Sequence, residues 1–393
     1  MYIALSDDQE SFGHECRRLL EKEWSSALAR EVAVPGGDGH APRLHKLLAD
    51  AGWLEMATAP DDAEETGTVF DLGIAVREAG RALVPTTLYS CVFAGLLLRR
   101  CRSSPRAAEL SRRVGRGTCL ATAGYLEAGD PVPEPAHGYG TVAIERNGRW
   151  ILNGVKDYVL NAATADELLI VARIVEAPVA SAGDPALGLF LVHPHLNGVR
   201  QTLHQTFGHD SQSRVTFTDV ELDAPALLHG PCSPGEWSQF FRPAVDEATA
   251  LLCMEMLGGT ERVLEDTVAY VSQRVAFGRP IGTFQAVQHM LADVRISASA
   301  ARVASLNALW AVTSRDDASR EVSIAKSWLS RAYKDTTLVA HQLYGGAGYV
   351  READLHLWSQ RAKATEPLFG GRGYHLRRLA SLDLAAEPVP AEA

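Results

Sequence analysis

The sequence of 393 residues is poor in the features that mark a metal site, a disulfide scaffold or a membrane anchor. Its six cysteines are scattered without a CxxC pair or a Cys/His cluster, so neither a zinc site nor a set of disulfides is indicated. The N-terminus lacks the basic-then-apolar pattern of a signal peptide, and the longest apolar run, residues 91–98, is far too short to cross a bilayer. These absences predict a soluble, cytoplasmic protein with reduced thiols, no resident metal and no membrane insertion.

Positive charge is also scarce. The chain has 38 Lys and Arg against 48 Asp and Glu, which gives a net charge of -10. This balance opposes a general attraction to nucleic acid or to anionic lipid, although a local basic patch could still bind a small anion. The hydrophobic content of 46% is that of an ordinary folded protein, and the length suggests two or three domains.

The pattern of the first 118 residues is helical. Ser6 and Gln9 have the spacing of a capping box before a segment of helical periodicity. Further helices are predicted at residues 44–53 and 70–83, and the apolar run 92–98 predicts a buried helix. We therefore assign residues 1–118 to an N-terminal α-helical domain.

The periodicity changes near Cys119. Residues 140–154 alternate between apolar and polar about Asn147-Gly148, which is a strong signal for a β-hairpin. Strand patterns continue at residues 168–171, 187–192 and 215–220. Residues 119–232 are therefore predicted to form a middle β domain, either a barrel or a sandwich.

Helical spacing returns after residue 232. Four long helices with short connections are predicted at residues 245–273, 284–315, 319–343 and 355–380, which favours a four-helix bundle over residues 233–393. The predicted fold class is therefore α+β, with helical domains on both sides of a β domain.

The segment between the first two of these helices, RVAFGRPIGTFQ at residues 274–285, has the composition of a phosphate-binding surface. The guanidinium of Arg274 can form two hydrogen bonds to a phosphate. Glycines permit close approach of the backbone, and Phe277 and Phe284 offer planar apolar faces. The alternative is an ordinary loop between two helices.

A second motif, QLYGGAGYVREADLHLWSQRAK, begins at Gln342. The two motifs, in this order after a helical and a β segment, resemble the acyl-CoA dehydrogenase superfamily over nearly the whole chain. The N-terminal run REAGRALVPTTLYSCVFAGLLL resembles the actinobacterial, FadE-type branch of that family.

The resemblance implies that FAD binds between the β domain and the bundle and that a neighbouring subunit completes its pocket. By similarity, Arg274 and Phe277 would hold the pyrophosphate, and Phe284 and Gln285 would flank the adenosine. Gln342, Gly345 and Gly346 would contact the FAD of the partner subunit, where backbone amides can donate to phosphate oxygens. A helix C-cap is the alternative role for the two glycines, and both roles are compatible.

The implied reaction is the α,β-dehydrogenation of an acyl thioester, in which a carboxylate removes the α-proton. In short- and medium-chain members of the family, this base precedes a Gly-Thr pair, but Phe369 occupies its place here. A phenyl ring cannot take a proton. Glu366 lies three residues earlier and is better explained as a surface residue.

Other members of the family carry the base on the helix before the RxxFG motif. Counting back by the family's spacing reaches Ala248, which follows Glu247 directly. The second candidate is Glu255, a lone charge in the run TALLCMEMLGG, where it should be partly buried. The structural alternatives are a charge near the N-terminus of a helix for Glu247 and a buried hydrogen-bond acceptor for Glu255.

The β domain departs from the family pattern as well. GYLEAGDP replaces the family's TEPxAGSD-like loop and YVL replaces its WIT-like strand, so Leu126 and Leu160 stand where threonine hydroxyls usually bond the flavin. Tyr158 could still stack on the flavin ring.

Three functions are compatible with these residues. The first is FAD-dependent dehydrogenation of an acyl group linked to CoA or to a carrier protein, with electrons passed to a separate acceptor protein. The second is a catalytically degenerate subunit in a heterotetramer with an active relative, and the third is another flavin-dependent tailoring oxidation. A homo-oligomer is the alternative to the heterotetramer.

Overall fold

The computed structural model describes residues 5–60, 67–129, 132–133, 139–175 and 186–386. The chain forms two compact units. The helical unit comprises Met1–Lys22, Gly73–Leu83 and Thr249–Ala393, and the mixed unit comprises Glu23–Leu72 and Val84–Ala248. Each unit combines segments that lie far apart in the sequence, and the division into domains at residues 118 and 232 stays a prediction.

The N-terminal region is helical, as predicted. The helices are α1 Asp7–Glu23, α2 Ser26–Val32, α3 Pro42–Asp50, α4 Trp53–Thr58, α5 Val69–Ala82, α6 Thr87–Leu98 and α7 Pro105–Gly115. The capping box before α1 is confirmed, because the Ser6 amide donates to Gln9 and the Gln9 amide donates to Ser6 Oγ. The single helix predicted at 44–53 is wrong: α3 ends at Asp50, and Gly52, at φ +80°, is the N-cap of the separate helix α4. Every residue of α6 is buried.

The mixed unit contains one large sheet. Its strands are β1 Ala121–Gly124, β2 Val142–Arg146, β3 Arg149–Leu160, β4 Glu167–Val175, β5 Ala186–Val192, β6 Val199–Leu203, β7 Gln212–Asp223 and β8 Leu227–Cys232. Their order is β6-β7-β3-β2-β4-β5-β8, and β1 pairs with β4. The pairs β1/β4 and β2/β4 are parallel and the others are antiparallel. Apolar residues of these strands form a buried core around Leu152, Phe190 and Phe217.

The hairpin predicted at Asn147-Gly148 is confirmed. Arg146 at the end of β2 pairs with Arg149 at the start of β3, which leaves a two-residue loop. Asn147 and Gly148 have φ values of +54° and +75°. Positive φ at both loop residues is the backbone of a type I′ turn, whose twist matches that of the strands.

Helices dominate the C-terminal region. They are α8 Pro234–Gln273, α9 Gln285–Ser314, α10 Ser319–Tyr344, α11 Leu355–Thr365 and α12 Arg372–Ala386. Two predicted bounds are wrong. Helix α8 begins before the predicted residue 245 and continues through Pro243, which removes one amide donor without ending the helix. The predicted helix 355–380 is two helices, separated where Phe369 and Gly370 adopt φ values of +54° and +96°.

Helix α10 is the centre of the C-terminal packing, because it contacts α9, α11 and α12. A short antiparallel pair, β9 Val275–Ala276 and β10 Arg279–Pro280, connects α8 to α9. Among the residues described, no helix combines the length and the apolar character that a membrane span requires.

Candidate active site

The segment 274–285 forms a tight, exposed hairpin in the helical unit. Strands β9 and β10 are joined by Phe277 and Gly278, both with positive φ, and the Ile281 amide donates to the Arg274 carbonyl at 2.8 Å. The Phe277 side chain is 94% exposed. A phenyl ring is rarely left in water at the tip of an ordered turn, so this hairpin has the character of a contact surface.

Cations and aromatic rings gather along this hairpin. Phe277 meets Phe284 edge to face at 6.1 Å, and the guanidinium of Arg279 lies 4.2 Å from the centre of the Phe284 ring. Arg274 and Gln285 are exposed on the same segment. Arg274 was predicted from the sequence to bind phosphate and Arg279 was not, although Arg279 lies only two residues after Phe277 in the same segment.

The end of α10 presents open backbone. The Gly345 amide donates to the His341 carbonyl, so this glycine does cap the helix, with φ at +58°. Nothing lies within 4 Å of the positions that a Cβ would take on Gly345 or Gly346. Gln342 is exposed one turn earlier.

A pair of stacked tyrosines connects this helix end to the first motif. Tyr344 stacks on Tyr270 with ring centres 4.0 Å apart, which brings the end of α10 beside the last turns of α8, just before Arg274. Open glycine backbones, an exposed guanidinium, the exposed ring of Phe277 and the half-buried ring of Phe284 therefore share one unit. These groups fit the phosphates and rings of a dinucleotide such as FAD.

Glu247 lies in the part of α8 that belongs to the mixed unit, and it is 6% exposed. Arg99 and Arg100, at the end of α6, both contact its Oε1 atom, at 2.6 and 2.9 Å. Among the residues that the structure describes, its buried Oε2 atom has no hydrogen-bond partner. Two guanidiniums pair with one oxygen of this carboxylate, while its other oxygen stays available to accept a proton.

Glu255 lies in the helical unit and is 1% exposed. Its Oε1 atom accepts a hydrogen bond from Arg361 of α11 at 3.0 Å. Its own backbone carbonyl is in close contact with Gly80 of α5. A carboxylate held by a guanidinium within packed helices has the features of a structural ion pair.

The loop between α11 and α12 carries Phe369. Two buried basic side chains, Lys326 and His375, hold this loop. Lys326 is fully buried and its Nζ donates to the carbonyls of Thr365, Glu366 and Gly370, at 3.3, 2.8 and 3.1 Å. His375 contacts the Phe369 carbonyl through Nε2 at 3.1 Å, and burial lowers its pKa to about 3.

These bonds satisfy carbonyls that the end of a helix would otherwise leave without donors. Glu366 pairs with Lys363 at 2.6 Å, as a surface residue would. The loop is therefore well defined even though it carries no base at position 369.

Burial of Lys326 makes stability depend on pH. Burial lowers the pKa of Lys326 from 10.5 to about 8. Between these values the unfolded chain holds one proton more than the folded chain, so the contribution of this group to the free energy of unfolding rises with pH. We expect wild type to gain up to about 3 kcal/mol relative to Lys326→Met from pH 8 to 10.5, measured by urea denaturation.

The control for this comparison is Lys363→Met, which removes an exposed lysine near the same loop. In this variant the free energy of unfolding should rise with pH as it does in wild type. The buried Lys156 titrates in all three proteins and cancels in the difference. The prediction would be contradicted if the free energies of unfolding of wild type and Lys326→Met changed with pH in parallel.

In the mixed unit, Leu126 and Leu160 are half-buried and Tyr158 is exposed on β3. The loop after β1 is fixed by Glu127, which accepts from Lys156 Nζ at 2.5 Å and from the Thr141 amide at 3.0 Å. Lys156 is fully buried, and burial lowers its pKa to about 8. Asp130 and Pro131, the end of the GYLEAGDP loop, lie outside the described residues.

Comparison with known proteins agrees with this arrangement. The profile of the family "acyl-CoA dehydrogenase, C-terminal domain" matches residues 242–381. The chain is similar to the acyl-CoA dehydrogenase IpdE2 of Mycobacterium tuberculosis, at 27% identity over 379 residues, which cover 93% of this chain and 97% of that relative.

Two similar solved structures are two-component assemblies. The Tcur3481-Tcur3483 steroid ACAD variant matches with 26% identity and a TM-score of 0.81, over 97% of this chain and 99% of its own. The ChsE4-ChsE5 complex from Mycobacterium tuberculosis matches in fold, with 23% identity and a TM-score of 0.83, over 99% of this chain and 100% of its own.

The fold, the two motifs and these similarities define an acyl-CoA dehydrogenase-like oxidoreductase. The chain belongs to the acyl-CoA dehydrogenase superfamily, and the predicted α+β fold with a helical C-terminal region is confirmed.

Proposed function

We propose that this chain catalyses the FAD-dependent α,β-dehydrogenation of an acyl thioester, with Glu247 as the base. The observation that carries the proposal is the buried Oε2 atom of Glu247, for which no donor is found in the described part of the chain. A buried acceptor without a donor lowers stability by about 1 to 3 kcal/mol and calls for a functional explanation. Removal of a substrate proton is such a function.

Several residues are suited to hold the cofactor. Arg274 and the open backbones of Gly345 and Gly346 would bind phosphate oxygens, and Phe277 and Phe284 would contact the rings. Gln285 and Gln342 would donate amide hydrogen bonds, and Tyr158 of the mixed unit would stack on the flavin. When bound, FAD would supply the acceptor for the β-hydrogen, which leaves the substrate as a hydride.

The base acts on the α-carbon of the thioester. Glu247 Oε2 takes the α-proton, and the electron pair of that C–H bond becomes the new double bond as the β-hydrogen leaves. Arg99 and Arg100 remain paired with Oε1 and hold the carboxylate in position during this step. Glu255, in contrast, is assigned to the stability of the helical unit through Arg361.

Association with a second subunit is supported by exposed apolar side chains in the helical unit. Phe277 is 94% exposed, and Ile296 and Val303 of α9 and Leu338 of α10 are 68%, 60% and 58% exposed. We infer a homo-oligomer or a heterotetramer with a related chain. Reoxidation of the cofactor requires an electron acceptor, which we expect to be a separate protein.

The proposal is tested by the visible spectrum of the purified protein and by anaerobic titration with thioesters. We expect a yellow protein whose visible flavin absorbance bleaches on addition of an acyl-CoA or an acyl group on a carrier protein. A flavin-loaded protein that no thioester in a broad panel bleaches would refute it.

A second function is favoured by Phe369, which occupies the position of the base in part of the family. In this alternative the chain is a helper subunit that contributes structure and cofactor contacts to an active relative. Two similar structures are assemblies of two different chains. Co-expression with a related acyl-CoA dehydrogenase chain distinguishes the two functions: a chain that alone forms a stable, flavin-loaded homo-oligomer is not a helper.

The role of Arg274 gives a separate prediction. Arg274→Ala removes a charge-assisted hydrogen bond to phosphate, so we expect FAD to bind about 10- to 100-fold more weakly, measured as the dissociation constant of FAD from the reconstituted apoprotein. Arg372→Ala, which removes another exposed arginine of the helical unit, should leave this constant unchanged. Equal affinities for the two variants would exclude Arg274 from the cofactor site.

A further inference from the structure

Strand β3 contains a β-bulge at Asp157 and Tyr158. Lys156 pairs with Val215 and Val159 pairs with Ser213, so two residues of β3 oppose the single residue Arg214 of β7. Bulges change the direction in which a side chain points, and they recur next to active sites. Here the bulge turns Asp157 inward, at 1% exposure, and leaves Tyr158 at 42% exposure.

The bulge holds Tyr158 in a strained backbone. Its φ is +54°, in the left-handed region that aromatic residues rarely adopt. A residue held in this region lowers stability and persists only where its surroundings compensate. The strain therefore points to a structure that enforces the position of this ring.

The compensation comes from Asp157. Its Oδ1 atom accepts from the Tyr158 amide at 3.1 Å and contacts His204 Nε2 at 2.5 Å, and its Oδ2 atom accepts from Arg214 Nη2 at 2.6 Å. Burial by itself would raise the pKa of Asp157, but the bonds from Arg214 and His204 outweigh it and hold that pKa below its ordinary value. The ionised carboxylate thus ties together the bulge, the opposite strand and the histidine.

His204 in turn supports the tyrosine ring. It follows β6, where its amide donates to the Gln212 carbonyl at 2.8 Å, and its imidazole stacks on Tyr158 at 5.4 Å and 28°. Three chain segments therefore converge on one partly exposed ring. None of Asp157, His204 and Arg214 was among the site residues predicted from the sequence.

We propose that Asp157 and His204 are positioning residues that hold Tyr158 in the orientation required for its contact with the flavin. The inference rests on the proposed function, because Tyr158 is a cofactor contact only if FAD binds. His204 acts through Tyr158: the imidazole buttresses the phenol ring, and Asp157 fixes both the imidazole and the strained backbone. This role predicts that the effects of His204 and Tyr158 on FAD binding are coupled.

The test is a double-mutant cycle on the holoprotein, read by the FAD dissociation constant and by the visible circular dichroism of the bound flavin. An aromatic pair contributes about 0.5 to 1.5 kcal/mol, so His204→Ala should weaken FAD binding about 2- to 10-fold and change the dichroism. In a Tyr158→Ala background, His204→Ala should have no further effect. Tyr158→Phe, which keeps the ring, should resemble wild type.

Two further variants complete the experiment. His195→Ala removes an exposed histidine of the same unit and should change neither readout. If His204→Ala does not fold, Asp157→Asn takes its place in the double-mutant cycle. Asp157→Asn should also change FAD binding and the flavin dichroism, and it should have no further effect in the Tyr158→Ala background. The inference alone would be overturned if His204→Ala or its substitute bound FAD as wild type does, or if its effect added to that of Tyr158→Ala. Absence of FAD from the wild-type protein would overturn the proposed function as well.

Discussion

Replacement of Glu247 by Gln is expected to lower turnover by about 10²- to 10⁴-fold, because the amide cannot accept the α-proton while its oxygen can still pair with Arg99 and Arg100. The effect should fall on kcat, and substrate binding should be retained. Anaerobic single-turnover bleaching of the flavin by a thioester measures this rate directly. The same measurement with an α-deuterated thioester should give a primary isotope effect in wild type.

Glu255→Gln is the matched control, since it removes a second buried, arginine-paired carboxylate of the same helix. Its main expected effect is on stability, by up to about 3 to 5 kcal/mol, because Arg361 would lose its charged partner in a buried setting. The rate per folded, flavin-loaded subunit should stay near wild type. If Glu255→Gln abolishes turnover in folded protein while Glu247→Gln does not, the base is Glu255 and the assignment must be exchanged.

Local signals in the sequence were sufficient to predict parts of the fold. The Ser6 and Gln9 capping box and the Asn147-Gly148 turn involve residues close together in the chain, and both are present as predicted. Helix α9 differs from its predicted bounds by one residue at each end. In each case the interaction that defines the element lies within the segment from which it was predicted.

Helix breaks and helix extensions that depend on distant residues could not be predicted from the sequence. The helix predicted at 355–380 divides at Phe369 because its loop is held from α10: Lys326 lies 40 residues from Glu366, whose carbonyl it binds. Phe369 by itself gives no signal for a left-handed backbone. Likewise, the continuation of α8 through Pro243 depends on burial, since Phe240, Phe241 and Ala244 are all buried around it.

For the candidate site, too, local features could be predicted from the sequence and distant contacts could not. Residues of the two motifs were identified from their types and order, and the structure brings those of segment 274–285 into one hairpin. The partners of the carboxylates could not be inferred, because Arg99 is 148 residues from Glu247 and Arg361 is 106 residues from Glu255. A single sequence contains no periodicity that connects positions so far apart, and so it could not distinguish the two carboxylates.

A large loss of stability is also expected from a single methyl group on α8. A Cβ at Gly258 would lie 1.9 Å from the backbone carbonyl oxygen of Arg77 on α5, and a Cβ at Gly80 would lie 2.1 Å from the carbonyl oxygen of Glu255. The two helices thus touch backbone to backbone through reciprocal glycines. Because neither contact atom belongs to a flexible side chain, Gly258→Ala must separate the helices, and we expect a loss of about 3 kcal/mol or more, measured by urea denaturation.

Gly235→Ala is the matched control, since it adds the same methyl group to the same helix. Nothing lies within 4 Å of the Cβ position at Gly235, and alanine favours helix over glycine by up to about 1 kcal/mol, so this variant should be as stable as wild type or slightly more so. Equal stability of the two variants would show that α5 and α8 can move apart at little cost. A selective loss in Gly258→Ala would instead show that α5 and α8 pack too closely at this contact to admit a methyl group.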